Sequence, residues 1–509
     1  MAEADEAVPR RGILTVCVML ATIMQALDTT IANVALPYMQ GNLSATQDQI
    51  NWVLTSYIVA AAIVTPVTGF LAARFGRKTL FLTAVAGFTI ASVLCGLATS
   101  LPEMVLFRLA QGVFGAPLVP MSQAVLLDSY PREKHGSAMA MWGVGVMVGP
   151  ILGPTLGGWL TESYNWRWVF YINVPVGLLT FLGLSAFLSE SRKLKFGLDW
   201  FGFLTLGIAI GALQLMLDRG EQVDWFSSTE IVVEATASAL AFYLFVVHTL
   251  TARRPFIDPQ IFKDRNFSLG LVCIFMLGVI LLATLALLTP YLQNLMNFPV
   301  VTAGVLLAPR GVGTMVAMMI VGRLINRMDP RYLLLFGLAL TFVALWEMTG
   351  WTPDVSEADI VRTGITQGLG LGFMFVPLST ITFATLAPHL RTQGTALFSL
   401  MRNIGSSIGI SIVIFLLSRN TQIMHAALAE HVTPFNQALR QGGAALLWNL
   451  NTAAGRMALN GEITRQATIV AYVDDFKLMM YVAVAAVPLV LMLRRARRSA
   501  DAAPDLVPD

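Results

Sequence analysis

Asp28 is the residue that most needs explaining. It lies in MQALDTTIANVALP, residues 24–37, within an apolar run that begins near Ile13. An acid near the centre of a membrane-length helix costs about 2.5–3.5 kcal/mol on insertion scales, so it persists only facing a partner, water or a ligand. Arg108, in LFRLAQGVFGAP, is the candidate partner. Asp28 stands about fifteen residues, or about 22 Å, from one end of its helix, and Arg108 about four residues, or about 6 Å, from the opposite rim. The two depths agree, so the side chains can face each other. Burial favours the neutral acid and Arg108 favours the anion. Opposed terms of this kind suit a carboxyl that takes up and releases a proton; a static ion pair holding two helices is the alternative.

Other ionisable residues lie in spans. Arg310 in LAPRGVG falls near mid-membrane, which suggests a wet cavity; Arg402 in SLMRNIGSSIG, in the inner half, anchors a helix or meets carbonyls; and Glu347 in ALWEMTG, near an outer helix end, is either a solvated end residue or a second acid meeting cationic substrate. Gln25, Asn33, Gln111, Gln123 and Gln293 are cavity candidates, because an amide facing lipid is costly. Met141 and Trp142 supply soft and aromatic surface suited to ligands of varied shape. In GVGVMVGPILGPTLGGWL, Gly145, Gly149, Gly153 and Gly157 recur every four residues, forming one face on which another backbone can come close. Pro150 and Pro154 each remove a helix hydrogen bond. The pattern fits a flexing contact that seals one side of a pathway, or tight static packing.

Catalytic and metal chemistry find no support. GSSIG, 405–409, matches a nucleophile-elbow pattern but falls inside an apolar helix with no preceding strand. No phosphate-binding loop or zinc-protease motif occurs. Cys17, Cys95 and Cys273 lie far apart in apolar runs and read as core residues. No metal and no cofactor is expected; work must come from an ion gradient or downhill flow.

These side chains need a membrane scaffold. Charged residues are 12% and hydrophobic residues 56% of the 509, against about 25% charged in soluble domains, and mean hydropathy is +0.69. The net charge of +3 gives no reason to expect nucleic acid. A spanning helix needs about 20 mostly apolar residues. Fourteen such runs occur, near 13–36, 52–73, 79–99, 104–127, 138–160, 170–189, 199–217, 230–251, 268–291, 301–325, 332–350, 360–386, 394–417 and 472–493. Of the 33 Lys and Arg, counting those near a span's end (Arg323, Arg362, Lys477) with the adjoining loop, 22 fall in alternate loops and termini, 8 on the other side and 3 within spans. By the positive-inside rule both termini are cytoplasmic.

Between the last two spans, residues 419–471 have a helical period broken at Pro434 and at Gly442 and Gly443. They read as a helical hairpin lying on the membrane surface, with a docking surface for an external partner as the sharper alternative. GFLAARFGRK, 69–78, and GRLINRMDPR, 322–331, end the second and tenth spans alike, which suggests a duplicated bundle. The expected organisation is a leader (1–12), a six-helix bundle (13–189), two linking helices (190–265), a second six-helix bundle (266–498) and a tail (499–509). The fold class is all-α, polytopic in the membrane.

With these stretches in view, the chain resembles the EmrB-like, fourteen-helix drug:proton antiporters of the major facilitator superfamily. LDTTIANVALP, GFLAARFGRK, RLAQGVFGAPLVP, GPILGPTLGGWL, NWRWVFYINVPVG, LQLMLDRGEQVDWFSS and HVTPFN carry the likeness over nearly the whole chain. The resemblance implies two six-helix bundles rocking around a central cavity, joined by the extra pair. It implies proton coupling at Asp28 and Arg108, and export marked by the fifth-helix glycines. It also implies gating at the loop of Gly69, Arg74, Gly76 and Arg77, small amphipathic substrates, a bacterial inner membrane, an EmrA-like periplasmic adaptor and a TolC-like outer-membrane channel. The family's loop usually has an acid before its first Arg; here Ala73 stands there.

Overall fold

The structure, a computed structural model, describes residues 11–131, 134–191, 193, 197–253, 255–325, 327–433 and 448–494. The leader and most of the basic tail lie outside them. Fourteen helices are long and apolar enough to cross a membrane, and no strand occurs among the described residues. They are α1 (Arg11–Asn42), α2 (Trp52–Phe75), α3 (Arg77–Leu97), α4 (Leu101–Ser129), α5 (His135–Ser163), α6 (Trp168–Phe187), α7 (Trp200–Arg219), α8 (Thr229–Thr251), α9 (Arg265–Leu295), α10 (Val300–Leu324), α11 (Pro330–Met348), α12 (Glu357–Ala384), α13 (Arg391–Ala429) and α14 (Ala453–Met492).

Breaks fall where proline or glycine dictates. A 3-10 turn over Thr65–Val67, with Pro66 in it, interrupts α2. α4 is interrupted at Ala116 and Pro117. Gly76 joins α2 to α3 at φ 93°, a conformation open mainly to glycine. Polar caps close free helix starts: Asp199 accepts from the Gly202 N–H, Ser356 from that of Asp359 and Thr452 from that of Gly455.

One packing scheme occurs twice. In the first half α1 packs on α5 and α6, α4 on α2 and α3, and α3 on α6. In the second half α9 packs on α13 and α14, α12 on α10 and α11, and α11 on α14. The echo between spans two and ten thus sits at equivalent places in two bundles. α7 packs on α8, α2 and α13. The halves meet through α5 on α10 and α12, and through α13 on α2 and α4. At one face this seam includes Ser137 Oγ donating to the Gly322 carbonyl at 3.1 Å and Gln393 Nε2 donating to the Phe256 carbonyl at 3.2 Å.

The stretch between the last two spans differs from a hairpin lying on the membrane. α13 runs unbroken for 39 residues and α14 for 40, about 58 and 60 Å against a hydrocarbon core of about 30 Å. Beyond the spans they stay side by side, with His425 Nε2 3.0 Å from Asn460 Oδ1. The polar stretches therefore continue the spanning helices, because the helical period runs unbroken to Ala429 and from Ala453. Residues 434–447, with the proline and glycine breaks, lie outside the described residues.

Candidate functional site

Asp28 and Arg108 do face each other. Arg108 Nη1 lies 2.6 Å from Asp28 Oδ2, and the residues are 0% and 1% exposed, respectively. Two more donors reach the acid: Gln111 Nε2 at 2.7 Å and Asn173 Nδ2 at 2.9 Å, both to Oδ1. Gln111 also accepts from Arg108 Nη1 at 2.7 Å, bridging the pair. Arg108 Nε donates to the Val53 carbonyl at 2.9 Å, and its guanidinium lies 4.4 Å from the Tyr57 ring centroid and 5.7 Å from that of Phe170. Asn173 Nδ2 is also 2.9 Å from Ser92 Oγ, whose hydroxyl donates to the Phe170 carbonyl.

A carboxylate with three N–H donors is set up as an acceptor-only group. Were it to take up a proton, it would give up an acceptor position and its attraction for Arg108. Four helices are tied at this point: α1 by Asp28, α2 by Val53, α4 by Arg108 and Gln111, and α6 by Asn173. Severing one partner of such a buried pair typically costs about 3–5 kcal/mol. The change of charge and the loss of helix contacts are therefore linked. Asn173 was not among the candidates, although an amide inside an apolar span is the same signal that marked Gln111.

The glycine stripe of α5 bears on the same turn of α1. A Cβ on Gly149 would lie 2.6 Å from Ala26 carbon atoms, one on Gly153 2.6 Å from Thr30 Cβ, and one on Gly157 3.3 Å from Ile31. Gly145 faces the flexible end of Met19. Thr30 Oγ1 donates across the contact to the Gly149 carbonyl at 3.1 Å. Pro150 and Pro154 lie in this helix; their side chains are outside the described ones.

The 69–78 loop sits where the halves meet. Gly69 packs on the Gln393 backbone. Arg77 pairs with Asp128, which also accepts from Arg391 Nη1 of the second half at 2.8 Å. Ala73 stands where an acid is usual, and the loop engages Asp128 through Arg77 and Glu190 through the Lys78 N–H. Arg74 stacks over Phe75 at 5.9 Å. Glu190 caps the start of α3, accepting from the Lys78 and Thr79 N–H groups at 3.1 and 3.3 Å and from Thr79 Oγ1 at 2.7 Å. Burial pushes this carboxyl up, but the Thr79 hydroxyl and the Ser191, Lys78 and Thr79 backbone donors outweigh it and hold it below its ordinary 4.5.

The remaining candidates do not gather in one place. Gln25 Nε2 donates to the Tyr57 hydroxyl at 3.2 Å, beside the Asp28 pair. Trp142 is buried, donates to Thr22 Oγ1 at 3.1 Å and stacks on Phe375 of the other half at 5.8 Å. Asn33 is exposed and Gln293 half-buried, and Gln123 is buried with both amide atoms unpartnered. Arg310 Nη2 donates to the Leu281 carbonyl at 2.9 Å. Glu347 accepts from Thr363 Oγ1 at 2.9 Å and lines a notch of about 460 Å³ with Trp346, Trp351, Asp359 and Arg362.

Comparison with known proteins follows the fold. Residues 18–410 match the family described as Major Facilitator Superfamily. Multidrug export protein EmrB of Haemophilus influenzae is 38% identical over 429 residues, 83% of this chain and 84% of that protein. Fatty acid resistance protein FarB of Neisseria gonorrhoeae is 35% identical over 490 residues, 94% of this chain and 96% of that one. Among solved structures, the proton:xylose symporter XylE superposes with a TM-score of 0.59 at 12% identity, covering 92% of this chain and 94% of that one, a likeness of fold alone.

Proposed function

The chain belongs to the major facilitator superfamily and is similar to its EmrB multidrug exporters; from that premise we propose that it is a proton-coupled antiporter exporting amphipathic and hydrophobic drugs. It is a multi-pass membrane protein, and the family is one of transporters, not enzymes. The observation that carries the reading is the sealed Asp28 carboxylate, held by Arg108, Gln111 and Asn173 on two other helices. Proton arrival at Asp28 weakens those ties, α1 shifts against the α5 glycines, and the bundles re-seat so that the site faces the other side. Drug binding restores the ionised acid and ejects the proton. The protein acts in a bacterial inner membrane with both termini cytoplasmic. The projecting α13–α14 hairpin docks a periplasmic adaptor that continues to an outer-membrane channel.

The test uses proteoliposomes with a pH-sensitive dye. Adding drug to the wild type releases protons, and Asp28→Asn releases none while remaining folded. Wild-type rates of drug-dependent release from Asp28→Asn would reduce this carboxyl to a structural role.

A second reading, export of one physiological amphiphile by the same cycle, is favoured by a specific feature. Arg310 and Arg402 have no ion-pair partner among the described residues, and guanidinium stays charged. A carboxylate headgroup would answer that need, and the relative FarB is named for fatty acid resistance. Preference for a medium-chain fatty acid over a neutral drug of equal length, lost in Arg310→Gln, distinguishes it.

A further inference from the structure

Asp475 of α14 plays no part in the cycle so far and was not singled out in the sequence. It is 1% exposed, and neither carboxyl oxygen has a hydrogen-bond partner among the described residues. The contrast with Asp28, which has three N–H donors, is chemical. A carboxylate withdrawn from water with no donor and no cation is penalised by several kcal/mol, whereas the neutral acid is penalised far less. The Asp28 pocket is built for an anion; the Asp475 pocket accepts only the acid.

Among the described residues no cation pairs with it. α14 packs on α13, α11 and α9. α9 contributes Cys273, deep toward the Asn266 end, and Tyr291. α11 contributes Glu347, which turns to Thr363 and Arg362 of α12. α13 contributes Arg402 and Arg419, neither of which pairs with Asp475, and His425, which meets Asn460. On its own helix Asp474, half-exposed, pairs with Lys477 at 3.2 Å, and Tyr472 is the other ionisable neighbour.

Position and neighbours suggest a route to water. The start of α9 is tied to the end of α14, with Asn266 bonded to the Arg494 backbone, and Arg331 Nη1 donates to the Leu493 carbonyl. Asp475 lies eighteen residues before Leu493, about 27 Å along the helix and so near the opposite rim of a core about 30 Å thick. At that rim four rings interlock: Tyr291 with Tyr472 at 5.2 Å, Tyr291 with Trp351 at 5.7 Å, and Trp351 with Phe476 at 6.1 Å. Tyr291 also opens a π-helical turn, Tyr291–Leu295, directly after Pro290. Such turns are local departures from the α-helical ladder that favour movement and function.

We infer that Asp475 is a second proton-binding group of the transport cycle, loaded while its carboxyl is buried on the helix that carries Tyr472 and Phe476, and discharged when movement at the π-turn opens the ring cluster these two share with Tyr291 and Trp351. On discharge the O–H bond breaks, the proton passes to solvent at that rim, and the carboxylate left behind is hydrated; reloading reverses each step. The inference rests on the antiport reading and gives it two carriers, one in each bundle.

Infrared difference spectroscopy and proton counting test it together, on the full chain in lipid with a transported drug. The wild type should show a protonated carboxyl band at neutral pH that is absent from Asp475→Asn and that changes when drug binds. Proton release per drug should fall in that variant to about half, one of two carboxyl carriers being removed. If the asparagine variant does not fold, Asp475→Glu supplies the assignment through a displaced band. Absence of any band dependent on residue 475, or a proton count equal to wild type, overturns the inference and leaves antiport at Asp28 intact. No drug-dependent proton release from the wild type overturns both.

Discussion

Substituting alanine along the α5 glycine stripe should give costs that differ in sign, not only in size. Ordinary van der Waals contact begins near 3.4 Å, and a Cβ on Gly149 would lie 2.6 Å from the Ala26 backbone, which is not a side chain that can swing aside. α1 and α5 must then part by up to about 0.8 Å, an overpacking that typically costs about 1–3 kcal/mol. Against that stands the helix preference for alanine over glycine, about 0.8–1.0 kcal/mol. Gly149→Ala should therefore destabilise by up to about 2 kcal/mol. Gly145→Ala meets only the Met19 methyl at 3.2 Å and should be neutral or stabilising by up to about 1 kcal/mol. The displaced residue is two positions from Asp28, whose bonds of 2.6–2.9 Å have little slack. A shift of about 0.8 Å takes the longest of them beyond hydrogen-bond range, so Gly149→Ala should also lose most drug-dependent proton release. Reversible unfolding in mixed micelles and the proteoliposome assay read the two effects. Equal stability of the two variants, or full transport by Gly149→Ala, would refute the claim that close backbone contact positions the acid.

The buried pair predicts strong coupling: Asp28→Asn and Arg108→Gln should each destabilise by about 3–5 kcal/mol, the double variant by much less than their sum, and additive unfolding energies would show the two groups to be independent. Glu190 predicts an acid-sensitive step. Its folded value lies below the ordinary 4.5, so its stabilisation is present above 4.5 and fades as pH falls through the lower folded value. Melting of the wild type followed downward from pH 5 should show a loss that Glu190→Gln, already without the anion at neutral pH, does not share.

What could be read in advance was whatever depends on one residue's depth or one segment's length. The fourteen spans follow from apolar length, and the matching depths of Asp28 and Arg108 from counting turns to the membrane rims; that their helices touch does not. What could not be read depends on how helices turn about their own axes. Gln111 and Asn173 converge on one oxygen because α4 and α6 present those faces to α1, and hydropathy does not encode rotation. Asp475 escaped notice for a related reason. Beside Asp474 at the edge of an apolar run it looks like a solvated helix start, and only the packing of α14 shows that one of two adjacent acids faces inward. The stretch after Leu417 looked like a separate surface element because its polarity rises there, although polarity alone does not end a helix.

The length of α13 and α14 has a mechanical consequence. Both are packed into the second bundle and emerge from it without a break, so they form a stiff mast rooted in that bundle. If that bundle tilts by about 10° during a cycle, a tip about 30 Å above the lipid sweeps sideways by about 5 Å. Anything grasping the tip would feel such a tilt as a displacement, and holding the tip still would resist it.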